Sequence, residues 1–142
     1  MEIRAATLED AKAIVDLVRA QASAEGESSP LTDDYVSRYL SSRTSGILLA
    51  IENDHTVGLL SYSARPDLYH AGECYLIEEL VVVEEKRSQG IGGMLIENLM
   101  ACAEQNGCAE VAVGVMPDNV RAQQFYRRHG LVDEAMLLER HF

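Results

Sequence analysis

The stretch from Glu78 to Met100 constrains the fold more than any other part of the chain. After Glu78 and Glu79 it continues with Leu80-Val81-Val82-Val83, a mostly β-branched apolar run that favours a buried strand. From Met94 onward, apolar residues recur with the spacing of one helical face, which predicts an amphipathic helix. The turn between them is rich in glycine: Arg87, Ser88, Gln89, Gly90, Ile91, Gly92 and Gly93. The stretch therefore predicts a strand, a glycine turn and a helix.

Backbone N–H groups in such a turn point outward at the positive end of the helix dipole, where they bind anions such as phosphate. Two well-known phosphate loops do not match. A Walker loop needs a lysine after the last glycine, and none follows Gly93. A dinucleotide fingerprint needs a third glycine where Leu95 stands, and it begins directly after the strand, whereas Glu84 to Gln89 intervene here.

Two motifs instead resemble those of the GCN5-related N-acetyltransferase (GNAT) superfamily. The first is Arg-x-x-Gly-x-Gly at Arg87, Gly90 and Gly92, between a strand and an amphipathic helix. The second is Asn-x-x-Ala-x-x-Phe-Tyr-x-x-x-Gly, formed by Asn119, Ala122, Phe125, Tyr126 and Gly130. The resemblance covers residues 73 to 131 well, and residues 1 to 72 only in the arrangement of elements.

The fold expected from the pattern and the resemblance is a single α/β (α+β) domain over residues 1–142. It has a mixed, mostly antiparallel central sheet flanked by helices, in the order β-α-α-β-β-β-α-β-α-β of the acyl-CoA N-acyltransferase fold. Thr32 or Asp33 is expected to cap the second helix. Asn53-Asp54-His55 is a predicted hairpin turn, residues 65–72 a polar loop, and residues 131–142 a last strand.

The resemblance implies acetyl-coenzyme A as the acetyl-donor cosubstrate, with its pyrophosphate on the glycine turn. Leu80 and Val82 are assigned backbone contacts to the pantetheine arm, with one N–H polarising the thioester carbonyl. The full set of expected cofactor-binding residues is Leu80, Val81, Val82, Arg87, Ser88, Gln89, Gly90, Ile91, Gly92, Gly93, Asn119, Ala122 and Tyr126.

Three residues are expected to take part in catalysis. Tyr126 stands where the superfamily has its general acid, and a phenol of pKa about 10 can protonate a thiolate whose thiol has a pKa of about 8.5. Glu78 and Glu79 are the base candidates, because charged residues in an apolar strand are costly unless one faces a wet cleft. Strand alternation predicts that both cannot reach one pocket. Glu78, Glu79 and solvent all remain open as the base.

The first half of the chain offers weaker acceptor-side candidates. Tyr35 and Tyr39 either wall an acceptor pocket or pack in the core. His70 is a further acceptor-side candidate, whereas His55 is expected to be a solvated turn residue.

Composition limits the partners. Twelve Lys and Arg residues stand against 23 Asp and Glu, and the net charge is −11, which disfavours nucleic acid and anionic membranes and favours an amine. No apolar run is long enough to span a membrane, and there is no secretory signal, so a cytoplasmic protein is expected. Cys74, Cys102 and Cys108 lack metal-binding spacing, so no metal is expected.

The expected function is acetyl transfer from acetyl-coenzyme A to a primary amine of a small molecule, by direct attack in a ternary complex. No cysteine lies in either motif, which disfavours an acetyl-cysteine intermediate. Two alternatives stay open: acetylation of a protein N-terminus or lysine, and a coenzyme A-binding regulatory domain without turnover. The acceptor cannot be named from the sequence, and the superfamily's frequent pairing leaves a homodimer open.

Overall fold

The five strands of the sheet follow one another in chain order from edge to edge. A computed structural model describes all residues from Met1 to Phe142. The first four strands are antiparallel neighbours, and the fifth is parallel to the fourth. The predicted mixed, mostly antiparallel sheet is confirmed. The strands are β1 (Glu2–Ala5), β2 (Ser45–Glu52), β3 (His55–Asp67), β4 (Gly72–Val82) and β5 (Glu110–Val113).

Four α-helices flank this sheet: α1 (Ala11–Ala24), α2 (Asp33–Ser41), α3 (Ile91–Gln105) and α4 (Val120–Arg128). Short 3-10 turns at Leu8–Asp10 and Glu84–Lys86 precede α1 and the glycine turn. The hydroxyl of Thr32 caps α2 as expected, because its Oγ1 accepts the Tyr35 N–H at 3.2 Å.

The core consists of two apolar layers, one on each face of the sheet. On one face Leu95, Ile96 and Leu99 of α3 are fully buried against Leu60. On the other face Ile14 of α1 and Val36 of α2 are packed with Leu49 and Leu59. Because alternate residues of β2 and β3 face opposite layers, the sheet is held from both sides.

The hairpin between β3 and β4 is longer than predicted. Residues 65–67 continue β3, β4 starts at Gly72, and only residues 68–71 connect them. Residues 65–72 were predicted to form a polar loop, and Pro66 among them cannot donate a backbone hydrogen bond. However, β2 pairs with β3 only as far as Ser63, and the last backbone bond on that side runs from the Ala64 N–H to the Thr44 carbonyl at 2.7 Å. At Pro66 this side of β3 has no strand partner, so proline is tolerated there.

The hairpin between β2 and β3 turns at Asn53 and Asp54, with φ of +50° and +63°. Two successive left-handed residues are typical of the tight turn that joins antiparallel strands. His55 was expected in this turn but is the first residue of β3, paired with Glu52.

The last strand, predicted between Leu131 and Phe142, is absent. The Leu131 N–H bonds to the Tyr126 carbonyl at 3.2 Å, and no later residue makes a backbone hydrogen bond. Met136 and Leu138 are 86% and 84% exposed. The prediction was wrong because apolar residues form a strand only where a neighbouring strand takes up their backbone hydrogen bonds.

Candidate active site

The candidate site lies where β4 and β5 part. Their parallel pairing ends at Ile77 and Val113, while β4 continues to Val82. From Glu78 onward, β4 therefore has a neighbour only on its β3 side. The open side of this segment, here called the split edge, is a row of backbone groups without a strand partner.

The backbone direction along the split edge follows from two hydrogen bonds. The Val83 N–H donates to the Val57 carbonyl at 3.0 Å, and the Glu79 N–H donates to Ser61 Oγ at 3.1 Å, so both point toward β3. Alternation then directs the N–H groups of Leu80 and Val82 to the split edge. Val81 is directed toward β3 and its side chain is buried on the α1 and α2 face, so it does not face the split edge.

The glycine turn differs from the prediction in where the helix begins. Helix α3 starts at Ile91, so Gly92 and Gly93 form its first turn instead of the preceding loop. Gly90 caps the helix with φ of +82°, a left-handed conformation that glycine adopts without strain. The first helical hydrogen bond is donated by Met94 to the Gly90 carbonyl.

The N–H groups of Ile91, Gly92 and Gly93 consequently have no partner within the helix, and no side chain caps this end. Such a row of free amides at the positive end of a 15-residue helix forms a cradle for an anion. We refer to Gly90 and these three residues as the amide cradle. Ser88, just before it, also has a positive φ, of +63°.

Two of the glycines have a packing role that the sequence did not reveal. A Cβ atom on Gly92 would lie 3.4 Å from the Phe125 ring, and one on Gly93 would lie 3.3 Å from the His129 imidazole. These distances show that α4 packs closely against the start of α3. Gly92 and Gly93 thus set the position of α4, which carries Tyr126.

The side chains of Arg87 and Gln89 in the turn form hydrogen bonds within the protein. Arg87 donates from Nε to the Val82 carbonyl at 3.2 Å and from its guanidinium to Gln21 Oε1 at 3.4 Å. Gln89 donates to the Glu85 carbonyl at 3.3 Å. Arg87 therefore links the end of β4 to α1, just before the amide cradle.

The second motif folds into α4. The side chain of Asn119 caps this helix, because its Oδ1 accepts the Ala122 N–H at 3.1 Å. Tyr126 lies on the same helix, packed against the α3 layer of the core, and its hydroxyl forms no hydrogen bond within the protein. Burial, and secondarily the charge of Glu79, raise the pKa of Tyr126 above the ordinary value of a phenol.

A β-bulge places the two glutamates on one side of the sheet. Ser61 pairs with Glu79 and Tyr62 with Ile77, so Glu78 is an extra, unpaired residue. Ile77 and Leu80 both belong to the α3 layer, and the two residues between them therefore share the opposite side. The prediction that alternation separates the glutamates is wrong because it assumed a regular strand.

The surroundings of the glutamates are polar and acidic. Glu78 accepts a hydrogen bond from Ser63 Oγ at 3.0 Å. Burial raises the pKa of Glu79, and the charges of Glu78 and Glu25 raise it further. None of these three carboxylates takes part in an ion pair with a basic residue of the chain.

Of the acceptor-side tyrosines, only Tyr39 lies near this acidic group. Burial raises its pKa to about 12, with smaller contributions from Glu78 and Glu79, and its hydroxyl donates to the Tyr62 carbonyl at 3.1 Å. Tyr35 is 53% exposed and lies under the guanidinium of Arg38. His70 lies at the distant β3–β4 connection, beside Asp67.

Three features of this site had no signal in the sequence. They are the bulge at Glu78, the hydroxyls of Ser61 and Ser63 beneath the glutamates, and the proximity of Glu25 at the end of α1. Each arises from pairing or packing between distant segments. An extra residue in a strand leaves the apolar pattern nearly unchanged, so the bulge could not be read from it.

Solved structures of known enzymes share this architecture. An aminoglycoside acetyltransferase from an uncultured soil metagenomic sample superposes with a TM-score of 0.86 at 20% identity, covering 99% of this chain and 94% of that one. A ribosomal-protein-alanine N-acetyltransferase from Brucella melitensis biovar Abortus gives a TM-score of 0.84 at 19% identity, with 99% and 98% covered. The fold is that of acetyltransferases.

Sequence comparison gives the family. The model of the acetyltransferase (GNAT) family matches residues 11–131, so the chain belongs to this family of acyltransferase enzymes. An aminoalkylphosphonate N-acetyltransferase of Salmonella typhimurium is 29% identical over 129 residues, covering 91% of this chain and 83% of the relative. The resemblance inferred from the two motifs is confirmed.

None of the helices combines the length and apolarity needed to cross a membrane.

Proposed function

We propose that the protein transfers an acetyl group from acetyl-coenzyme A to a primary amine of a small, cationic molecule by direct attack in a ternary complex. The observation that carries this proposal is the juxtaposition of two features. The amide cradle lies beside β4, since a Cβ atom on Gly92 would lie 3.9 Å from the Leu80 side chain, and the charge of Glu79 on that strand adds to the rise in the pKa of Tyr126.

In this proposal the donor, acetyl-coenzyme A, is held by backbone N–H groups that have no other partner in the secondary structure. The free amides of Ile91, Gly92 and Gly93 suit a diphosphate, and the N–H groups of Leu80 and Val82 suit an extended amide-bearing arm. One N–H of the split edge would also stabilise the negative charge that develops on the thioester oxygen. Positioning of this kind supplies much of the rate in transfer between two bound reactants.

Proton transfers are assigned to three side chains. The ammonium group of the acceptor first loses one proton to Glu79 or to water beside Glu78. The neutral amine then attacks the carbonyl carbon, a second proton leaves by the same route, and the C–S bond breaks as the amide forms. Tyr126 donates a proton to the departing thiolate. A phenol with an ordinary or raised pKa is protonated at neutral pH, and the Tyr126 hydroxyl has no competing partner within the protein. The raised pKa of Glu79 brings this carboxyl closer to the range that a general base needs.

The acidic group formed by Glu25, Glu78 and Glu79 favours a cationic acceptor. With no basic partner in the chain, these carboxylates attract an ammonium group and repel an anion. An aminoglycoside, the substrate class named for one structural neighbour, carries several ammonium groups. The phosphonate named for the Salmonella relative is anionic and would be repelled. We therefore expect a polycationic amine to be preferred.

The test is release of free thiol from acetyl-coenzyme A with a panel of acceptors: an aminoglycoside, a polyamine, an aminoalkylphosphonate and an N-terminal alanine peptide. Tyr126→Phe should lower kcat by about a hundredfold, the lower range for a general acid, without changing coenzyme A binding. The matched control is Tyr69→Phe, at a 91% exposed tyrosine of the β3–β4 connection, which should leave kcat unchanged.

Three results would contradict the proposal. If coenzyme A binds but no amine of the panel causes release of free thiol, a regulatory domain is favoured. If only the peptide is acetylated, a protein acetyltransferase is favoured. An unchanged kcat in Tyr126→Phe would remove this residue from the mechanism.

A further inference from the structure

A second cluster of reactive side chains lies at the connection between β3 and β4, away from the split edge. Asp67 is the last residue of β3, His70 lies in the connection, and Cys74 is the third residue of β4. One ligand atom from each of the three residues lies within 4.8 Å of the other two. Cys74 and Glu79 are five residues apart along β4, or about 16 Å at the rise of a strand, so the cluster is separate from the acidic group.

The hairpin register brings these residues together. Asp67 pairs with Gly72 and Arg65 with Cys74, so the Asp67 and Cys74 side chains are diagonal neighbours on one face. The short connection then returns the His70 ring to Asp67, where its Nδ1 contacts Oδ2. A hairpin that closes in this way presents sulfur, nitrogen and oxygen donors from three nearby positions.

The spacing of the donors matches a tetrahedral metal ion. Zinc binds sulfur at about 2.3 Å and carboxylate oxygen at about 2.0 Å, which sets the two atoms about 3.5 Å apart in a tetrahedral site. Cys74 Sγ lies 3.6 Å from Asp67 Oδ2. His70 belongs to the exposed connection, so its ring can rotate away from the carboxylate to admit an ion without a change in either strand.

The order of contacts does not suit a nucleophilic cysteine. The carboxylate lies between the thiol and the imidazole, so the histidine does not contact the sulfur and cannot act as its base. The buried thiol of Cys74 donates its proton to Asp67 Oδ2 at 3.6 Å in the metal-free protein. A bound divalent cation would displace this proton, and its charge would be balanced by the thiolate and the carboxylate.

We propose that Asp67, His70 and Cys74 form a binding site for a zinc ion, with water as the fourth ligand. Sulfur, imidazole and carboxylate together are a ligand set that zinc accepts. The proposed site differs from the sequence-based expectation of no metal, which considered only the spacing of the cysteines. The residues of Asp-x-x-His-x-x-x-Cys come close to one another only because β3 and β4 pair. Zinc here would fasten the β3–β4 connection.

Cobalt is the probe that tests this proposal without relying on enzyme activity. Titration of the reduced, metal-free protein with Co²⁺ should give one equivalent bound, with the visible absorption of a tetrahedral ion and a sulfur-to-cobalt charge-transfer band. Zinc should abolish both signals by displacement. Cys74→Ala should abolish the charge-transfer band, and His70→Gln should weaken Co²⁺ binding by at least about tenfold, as even indirect partners of a metal do.

The chain offers matched controls for both variants. Cys102→Ser and Cys108→Ser remove the other two free thiols, and His55→Gln removes a histidine at the opposite end of β3. All three should bind Co²⁺ like the wild type. Because Cys74 is buried and its replacement can impair folding, the His70→Gln variant at an exposed position gives an independent test.

The proposal is overturned if folded protein with three titratable thiols gives no charge-transfer band. It is equally overturned if the band persists in Cys74→Ala, or if His70→Gln binds Co²⁺ as tightly as His55→Gln. None of these readouts depends on acetyl transfer, so the metal site can fail while the acetyltransferase proposal stands.

Discussion

Replacement of Gly90 by alanine tests the amide cradle, because a matched glycine exists at the other end of the same helix. Gly90 and Gly107 have φ of +82° and +68°, and a Cβ atom at either position would meet no atom within 4 Å. Alanine should therefore cause only backbone strain, about 1–2 kcal/mol in the free energy of unfolding for either variant. Urea unfolding of Gly90→Ala and Gly107→Ala should show similar losses.

The two variants should differ in coenzyme A binding. A methyl group on Gly90 would occupy the space in which a diphosphate approaches the amides of Ile91, Gly92 and Gly93. Loss of one hydrogen bond to a charged group costs about 1.5–3 kcal/mol, which is about 10- to 150-fold in Kd. Isothermal titration calorimetry should show this weakening for Gly90→Ala, whereas Gly107→Ala should bind like the wild type. Equal affinities in the two variants would refute the assigned role of the cradle.

Two further predictions concern carboxylates and pH. The raised pKa of Glu79 means that the folded state holds this proton more tightly than the unfolded state, so the stabilising effect is present at low pH and lost as pH rises through the folded-state pKa. Glu79→Gln should therefore unfold at a higher temperature than the wild type at pH 7, and the difference in unfolding temperature should vanish in acid. An equal difference at both pH values would contradict this pH dependence. Asp10 behaves oppositely, because its ion pair with Arg4 lowers its pKa from 3.8 to about 2. Asp10→Asn should cost about 1–2 kcal/mol of unfolding free energy at pH 7, and thermal melts should show this cost disappearing as pH falls below 3.8 toward 2.

The elements that carry the proposed donor site could be predicted from the sequence because their signals are local. The apolar run of β4, the glycine turn and the periodicity of α3 lie within one continuous stretch, and a crossover to a parallel strand follows from their order. The same locality explains Thr32 and the Asn53-Asp54 turn, whose conformations are set by a few neighbouring residues. Even here, the start of α3 was misjudged, because glycines are poor helix formers and gave no helical signal.

Features that depend on pairing between distant segments could not be predicted. The bulge at Glu78 arises from the register of β4 against β3, and it reverses the conclusion drawn from alternation about Glu78 and Glu79. The extent of the β3–β4 hairpin and the absence of a strand after Leu131 have the same origin. In each case, the tertiary partner decided whether a residue's preference was realised.

The packing of α4 onto α3 also escaped sequence analysis. Gly92 and Gly93 were predicted to be turn residues that contact a ligand, and their packing role was not foreseen, yet a Cβ atom on either would lie within 3.4 Å of Phe125 or His129. These glycines serve both the amide cradle and the close approach of the helix that carries Tyr126. A single-residue pattern cannot distinguish these roles, because both require the same missing side chain.

In the proposed reaction, free backbone amides at the start of α3 bind a diphosphate and so position a thioester at the split edge of β4. Calorimetry can compare coenzyme A with pantetheine, which has the same arm but lacks the diphosphate and the nucleoside phosphate attached to it. We expect coenzyme A to bind at least about a hundredfold more tightly, the contribution of two hydrogen bonds to a charged group at the lower end of their range. Equal binding of the two compounds, or no heat with coenzyme A, would show that these amides do not bind a diphosphate.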